Sequence, residues 1–264
     1  MDEIYGARTF AVDGGVYDGF MGRYSVGLAG AFADAAGVTP GDSALDVGCG
    51  PGALTGCLIE RLGASAVAAC DPSPDFVAAC AARHPGVDVR AGRAEQLPFD
   101  AASFDHVMSQ LVFHFVAQPE VAASEMARVG RPGGTVAACV WDFAEGMEML
   151  RAFWDAALAI DPDAPDEART LRFGRPGEIA ELFELTGMTD IRECTLGTSS
   201  TYESFDELWA GFLAGIGPAG AFCVALDPDR RSRLRAELFE RVGAPSGPFT
   251  LGAIARGAVG RIER

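Results

Sequence analysis

Asp46, Gly48, Gly50 and Gly52 alternate along the end of an apolar run, in a segment from Leu45 to Thr55 that reads LDVGCGPGALT. Closely spaced glycines where a strand turns into a helix let the main chain approach a ligand where any Cβ would collide. The helix that follows offers its unpaired N–H groups to the same ligand. The pattern predicts a bound nucleoside cofactor. Gly48, Gly50 and Ala53 also satisfy the G-x-G-x-x-G/A dinucleotide fingerprint, whose third position packs helix on strand, so the glycines alone leave the cofactor open. Asp71 ends the next apolar run, 19 residues after Gly52. A carboxylate there accepts both hydroxyls of a ribose, whichever nucleoside is bound.

These residues need a scaffold that brings strand ends together. A helical pattern from Gly19 to Ala36, ended by Gly37, precedes a strand at Ala44 to Val47 and a helix at Ala53 to Leu62 closed by Gly63. Ser65 to Cys70 reads as a second strand, and Ser73 with Pro74 starts a helix running to about Arg83. Further strands are expected at Val87 to Arg90, Phe104 to Ser109 and Thr135 to Trp141. A helix lies between Pro119 and Val129, and Arg131-Pro132-Gly133-Gly134 forms a turn. Strands alternating with helices at this spacing predict a parallel, doubly wound sheet. Ligands bind such sheets outside the carboxyl ends of the strands, so Asp46, Asp71 and Ser109 should face one crevice.

Beyond residue 142 the alternation loosens. Helices are expected at 147–160, 176–185, 204–216 and from Asp227-Pro228 to about Val242, with Ser204 and Glu207 as a capping box. The stretch 161-DPDAPDEA reads as an acidic loop. Strands are expected at Thr189 to Leu196 and Phe249 to Ala255.

The quoted segments resemble class I S-adenosylmethionine-dependent methyltransferases. Their first motif is commonly Asp/Glu-x-Gly-x-Gly-x-Gly, and Asp46-Val47-Gly48-Cys49-Gly50-Pro51-Gly52 fits every fixed position. Ala91 to Phe104, AGRAEQLPFDAASF, is similar to the adenine-binding stretch of small-molecule methyltransferases near the ubiquinone and menaquinone biosynthesis enzymes, the methyltransferase type 11 group. There GD-A-E-x-LPF is usual; Gly92, Ala94, Glu95, Leu97, Pro98 and Phe99 match, while Arg93 replaces the aspartate. Phe104-Asp105, Ser109 to Phe115 and Glu125 to Gly134 also fit. The resemblance covers residues 40 to 142, with a weaker match at Tyr17 and Met21 to Ser25.

The resemblance implies a Rossmann-like seven-stranded α/β sheet of order 3-2-1-4-5-7-6, its last strand antiparallel, carrying a small helical cap. One domain over 1–264 would have its core in 40–142, 175–200 and 247–258, and its cap in 1–38, 143–174 and 201–246. Asp46 would help hold the methionine ammonium, and Gly48, Cys49, Gly50 and Gly52 would pass along the aminoacyl and ribose parts. Asp71, with Pro72 and Ser73, would take the ribose. Ala94, Glu95 and Gln96 would read the adenine edge, the N6 contact falling to Glu95. Ser109, Gln110 and Leu111 would complete the site, with Tyr17 and Arg23 closing over the cofactor and Arg23 pairing with its carboxylate. The implied reaction moves a methyl group to O, N or C of a small acceptor and leaves S-adenosylhomocysteine. His114, just past the fourth strand, is the candidate base, because an imidazole titrates near working pH; a satisfied structural histidine is the alternative. Phe153, Trp154, Phe205, Trp209 and Phe212 in the cap suggest an apolar or aromatic acceptor, although such residues are more often core.

Composition narrows the field. The chain contains no lysine, its 21 basic residues all being arginine, which excludes Schiff-base chemistry and a P-loop. A formal charge of −16 opposes phosphate backbones. The Asp/Asn/Ser-Pro-Pro-Tyr/Phe signature of DNA amino-methyltransferases is missing, Ser109-Gln110-Leu111-Val112 standing in its place. No nucleic-acid partner is expected. Seven scattered cysteines and three scattered histidines predict free thiols and no metal. No apolar stretch approaches a membrane span, and no signal peptide is visible, so a cytoplasmic location without membrane attachment is expected. Whether the cap makes a homodimer stays open. A nicotinamide-dependent oxidoreductase would explain Gly48, Gly50, Ala53 and Asp71 but leaves Asp46, Glu95 and the RPGG turn unexplained. A cofactor-binding protein without catalysis is the third possibility.

Overall fold

A computed structural model describes residues 18–263. The strands are β1 (Ala44–Val47), β2 (Val67–Asp71), β3 (Asp88–Ala91), β4 (Phe104–Gln110), β5 (Gly130–Trp141), β6 (Thr189–Tyr202) and β7 (Phe249–Arg261). They form one sheet in the order β3-β2-β1-β4-β5-β7-β6. Strands β1 to β5 pair in parallel, and β7 is antiparallel to both its neighbours. The order and the reversed strand agree with expectation.

The helices are α1 (Arg23–Ala36), α2 (Ala53–Leu62), α3 (Pro74–Arg83), α4 (Pro119–Val129), α5 (Glu148–Ile160), α6 (Glu167–Thr170), α7 (Glu178–Leu185), α8 (Phe205–Leu213), α9 (Gly217–Ala225) and α10 (Pro228–Arg241). A parallel sheet needs cover on both faces, and the sequence supplies it. Every residue of β1 and β2 is buried. Along β5, Ala137, Cys139 and Trp141 join the core shared with α1, α5 and α8, while Val136, Ala138 and Val140 join the core under α4 and α7. Side chains alternate across a strand, so one apolar run feeds both layers.

Several elements depart from expectation. The RPGG turn falls inside β5, where pairing runs from Phe104 and Gly130 to His106 and Thr135, so the extra residues loop out of the ladder. Arg131 there bonds Asp105 at 2.7 Å, and Asp105 also accepts from the Ser43 amide and hydroxyl. The Phe-Asp and RPGG motifs therefore clamp the amino ends of β4 and β5, at the edge opposite the crevice. Strands β6 and β7 run longer than expected, to Tyr202 and Arg261. Helix α9 is an addition, its start disguised by Gly217-Pro218 and Gly220. Glu167–Thr170 forms a helical turn that begins at the end of the expected acidic loop. The Ser204 hydroxyl does cap α8, accepting from the Glu207 amide at 3.3 Å, but the Glu207 carboxylate reaches back to the Glu203 amide rather than to that of Ser204.

Candidate active site

The glycine turn is held by groups on β1, β2 and α2. Gly48 and Cys49 both donate to the Cys70 carbonyl at the end of β2. Gly48 and Gly52 adopt φ of +74° and +97°, a region that penalises any side chain. A Cβ on Gly48 would also meet Val112 at 2.5 Å, and one on Gly52 would strike the His84 ring at 2.6 Å. A Cβ on Gly50 would point into open space. The turn is thus packed behind and open at its middle glycine.

Asp46 is fully buried and accepts the Thr55 hydroxyl of α2 at 2.6 Å. Burial pushes its carboxyl up to about 7, against the Thr55 hydrogen bonds that favour ionisation, and the nearby Asp71 adds to the rise. Asp71 accepts from the Gly50 amide at 2.9 Å and from the Ser73 amide at 2.8 Å, one bond to each oxygen. Each oxygen keeps a free lone pair for a ligand hydroxyl. Pro72 and Ser73 follow directly, and the Ser73 hydroxyl accepts from the Phe76 amide to cap α3.

The 94–99 loop is stitched to α4. Glu125 accepts from the Leu97 amide at 3.0 Å and pairs with Arg128, which donates to the Leu97 and Phe99 carbonyls. Ala94 is buried and Gln96 exposed. Glu95 carries a buried Oε1 with no hydrogen-bond partner, its other oxygen lying 3.5 Å from Arg93. Past β4, Ser109 donates to the Val47 carbonyl at 3.1 Å, and the Gln110 amide nitrogen donates to Ser25. Gln110 Oε1 is a second buried oxygen without a partner. Leu111 holds a φ of +66°, a conformation unfavourable for leucine and characteristic of functional crevices.

Two of the expected residues sit elsewhere. Arg23 donates to Glu207 at 3.0 Å and to the Thr201 carbonyl at 2.6 Å, and its guanidinium lies 4.1 Å from the Tyr202 ring centre. It binds the end of β6 and the start of α8, away from the glycine turn, and its donors are committed there. His114 is fully buried, with Nδ1 2.6 Å from the Arg172 carbonyl and Nε2 3.2 Å from the Trp141 carbonyl. Burial lowers its pKa to about 4, so the ring is neutral; its single N–H bonds one of the two carbonyls, and its other nitrogen is covered by the second. His114 is a structural pin between two backbone segments, and the base assignment is corrected accordingly. Tyr17 lies outside the described residues.

A partly open cavity lies at the carboxyl ends of β4 and β5. Leu111 and Trp141 form its floor, Phe20, Met21 and Leu150 contribute to its walls, and the 216–219 segment at the start of α9 closes it. None of Phe153, Trp154, Phe205, Trp209 and Phe212 lines it. They form the core of the cap, where Phe153 stacks on Phe212 with centroids 4.3 Å apart. Other aromatics, Phe115 and Phe143 among them, line the cavity instead. Its one ionisable lining residue among the described residues is Glu167, which the sequence hides among the acids of the 161–168 stretch. Val112 packs on Gly48 while its neighbour Leu111 lines the cavity, so glycine turn and cavity adjoin.

A glycine turn after an acid, on this strand order and beside an apolar cavity, is the arrangement of the class I methyltransferase fold. Comparison with known proteins agrees. Residues 45–138 match the methyltransferase domain family. The chain is 38% identical over 121 residues to the probable phthiotriol/phenolphthiotriol dimycocerosates methyltransferase 2 of Mycobacterium ulcerans, covering 45% of each protein. It is 28% identical to the nocamycin O-methyltransferase of Saccharothrix syringae, over 89% of this chain and 91% of that one. The chain thus spans less than half of the first relative and nearly all of the second. Among solved structures, a proposed type II methyltransferase from Anaeromyxobacter dehalogenans superposes with a TM-score of 0.64 at 22% identity, over 91% of this chain and 97% of that one. These matches lend no support to the nicotinamide alternative.

The residues present fit S-adenosylmethionine. The open face at Gly50, the spare lone pairs of Asp71 and the orphaned Glu95 oxygen are what an aminoacyl nucleoside requires.

Proposed function

We propose that this chain methylates a small, largely apolar acceptor held in the cavity between Leu111, Trp141 and the cap. The observation that carries this is the junction at Leu111-Val112, where the cofactor turn and a partly open apolar cavity share consecutive residues. S-adenosylmethionine supplies an activated sulfonium methyl group. The chain's own part is to bind and align. Asp71 holds the ribose, Glu95 and the Ala94 backbone the adenine edge, and Asp46 the ammonium. The apolar walls exclude water and hold the acceptor. Alignment of this kind is worth up to about 7–11 kcal/mol.

Calorimetric titration with S-adenosylhomocysteine, and with NAD as the contrast, tests the reading. Asp71→Ala should weaken S-adenosylhomocysteine binding by about 1–3 kcal/mol through loss of the ribose acceptor. A wild-type chain that binds NAD and ignores S-adenosylhomocysteine would refute it.

A further inference from the structure

Glu167 is the carboxylate that borders the acceptor cavity. It is the first residue of α6 and is 3% exposed. Its Oε2 accepts the Trp154 indole N–H at 2.8 Å. Among the described residues no group bonds Oε1. Among the described residues no other ionisable side chain lines the cavity, whose remaining walls are apolar side chains and Gly217. Among the described residues no cation pairs with this carboxylate directly. Arg151 of α5 is spent on Asp166 and Asp155, and Arg169 lies 3.8 Å from Asp166. A buried carboxylate that borders an apolar cavity and is anchored through one oxygen by an indole can turn its other oxygen to a ligand in that cavity.

We infer that Glu167 is the catalytic carboxylate on the acceptor side, holding the hydroxyl of a phenol- or enol-type acceptor and taking its proton as the oxygen is methylated. This rests on the methyl-transfer reading above. The acceptor O–H bond breaks and its proton goes to Glu167. The electron pair left on oxygen forms the O–CH₃ bond, the S–CH₃ bond breaks, and its pair stays on the departing sulfur. The proton then leaves to solvent through the cavity mouth. Burial, with the Asp166 charge adding to it and the Trp154 bond opposing it, pushes the Glu167 carboxyl up to about 7. A base in that range is matched to working pH and to hydroxyls that titrate near 10, as a tyrosine phenol does. The Trp154 indole fixes the carboxylate's orientation, which makes Trp154 a positioning residue.

The test measures binding of phenol, anisole and benzylamine by ligand-observed NMR, with S-adenosylhomocysteine present, on wild type, Glu167→Gln and Trp154→Phe. Glutamine preserves an acceptor for the indole and turns a donor toward the cavity, so S-adenosylhomocysteine affinity should not change, and the melting temperature should lose only the pH dependence that the carboxyl supplies. Wild type should prefer phenol over anisole by about tenfold at pH 8.5. The preference should fade as pH drops through 7 and vanish in Glu167→Gln. In Trp154→Phe the pH midpoint of the preference should move upward, because the bond favouring ionisation is gone. A preference that survives Glu167→Gln, or is flat from pH 6 to 8, overturns the assignment. So does tighter binding of benzylamine than phenol, or a cavity that takes neither. Failure of the wild type to bind S-adenosylhomocysteine sinks methyl transfer and this step with it. Lost phenol preference with that binding intact sinks Glu167 alone.

Discussion

Asp46 and Glu167 are both buried carboxylates whose protons are held up to about 7, yet they belong to opposite kinds of site. Asp46 sits in a turn made of backbone, bonded to Thr55 and enclosed by β1, β2 and α2. Glu167 sits in a cap made of side chains, anchored by one indole and facing a cavity. The cofactor half is therefore fixed by main-chain geometry, which many sequences reproduce. The acceptor half is fixed by packing, which each sequence solves in its own way. Titration alone would not tell the two carboxylates apart; their partners do.

Gly48→Ala should have the largest effect, because Gly48 is where the two halves meet. The new methyl enters a left-handed position and drives into Val112, whose neighbour Leu111 is already strained. A cost of about 1–3 kcal/mol is expected from the backbone alone, with S-adenosylhomocysteine affinity falling more than tenfold. Chemical denaturation and calorimetry on the same sample measure both. An affinity loss without any change in the cavity's probe binding would show that the halves are independent.

The second comparison is between the carboxylates themselves. Both have folded pKa values above those of free carboxyls, so each favours the folded state fully below about pH 4 and loses that contribution as pH rises through 7. Stability should therefore decline from pH 5 to 8. Asp46→Asn and Glu167→Gln should each reduce the slope near neutrality by up to about 1.4 kcal/mol per pH unit. Thermal melts across that range read it out. A slope unchanged in either variant would mean that the carboxylate is solvated in solution. A bound ammonium next to Asp46 should pull its pKa down. Binding of S-adenosylhomocysteine at pH 6.5 should then release a proton, detectable as a buffer-dependent heat, in wild type and not in Asp46→Asn.

The halves also differ in how far the sequence discloses them. The glycine turn, Asp71, Ser73 and the strand order were legible because backbone constraints write themselves into residue type. A left-handed turn demands glycine, and an exposed helix start demands a cap. The Glu125–Arg128 clamp on the 94–99 loop was visible as a motif, though its purpose required the hydrogen bonds to be seen. Glu167 was illegible. It is one acid in DPDAPDEA, and nothing local marks it as the one that α5 and α9 enclose. His114 misled for the converse reason, since its position after β4 is correct for a base while the Arg172 carbonyl that occupies it arrives from 58 residues away. Helix α9 was missed because Gly-Pro-Ala-Gly is a poor helix start until the burial of Ala219 and Cys223 outweighs its propensity.

Arg23→Ala makes the smallest and sharpest test, because it asks to which half α1 contributes. If Arg23 gripped the cofactor carboxylate, its removal would cost the 1.5–3 kcal/mol of a charge-assisted bond in affinity. Its observed partners lie on β6 and α8 instead, and Glu207 is 40% exposed. An ion pair of that exposure is worth about 0.2–1 kcal/mol of stability. Stacking on Tyr202 adds a contribution of similar size. The expected outcome is a melting temperature lowered by a few degrees, with S-adenosylhomocysteine affinity unchanged within twofold. Should affinity fall tenfold instead, Arg23 must leave Glu207 and swing to the crevice when cofactor binds, and α1 would belong to the half that closes over the glycine turn.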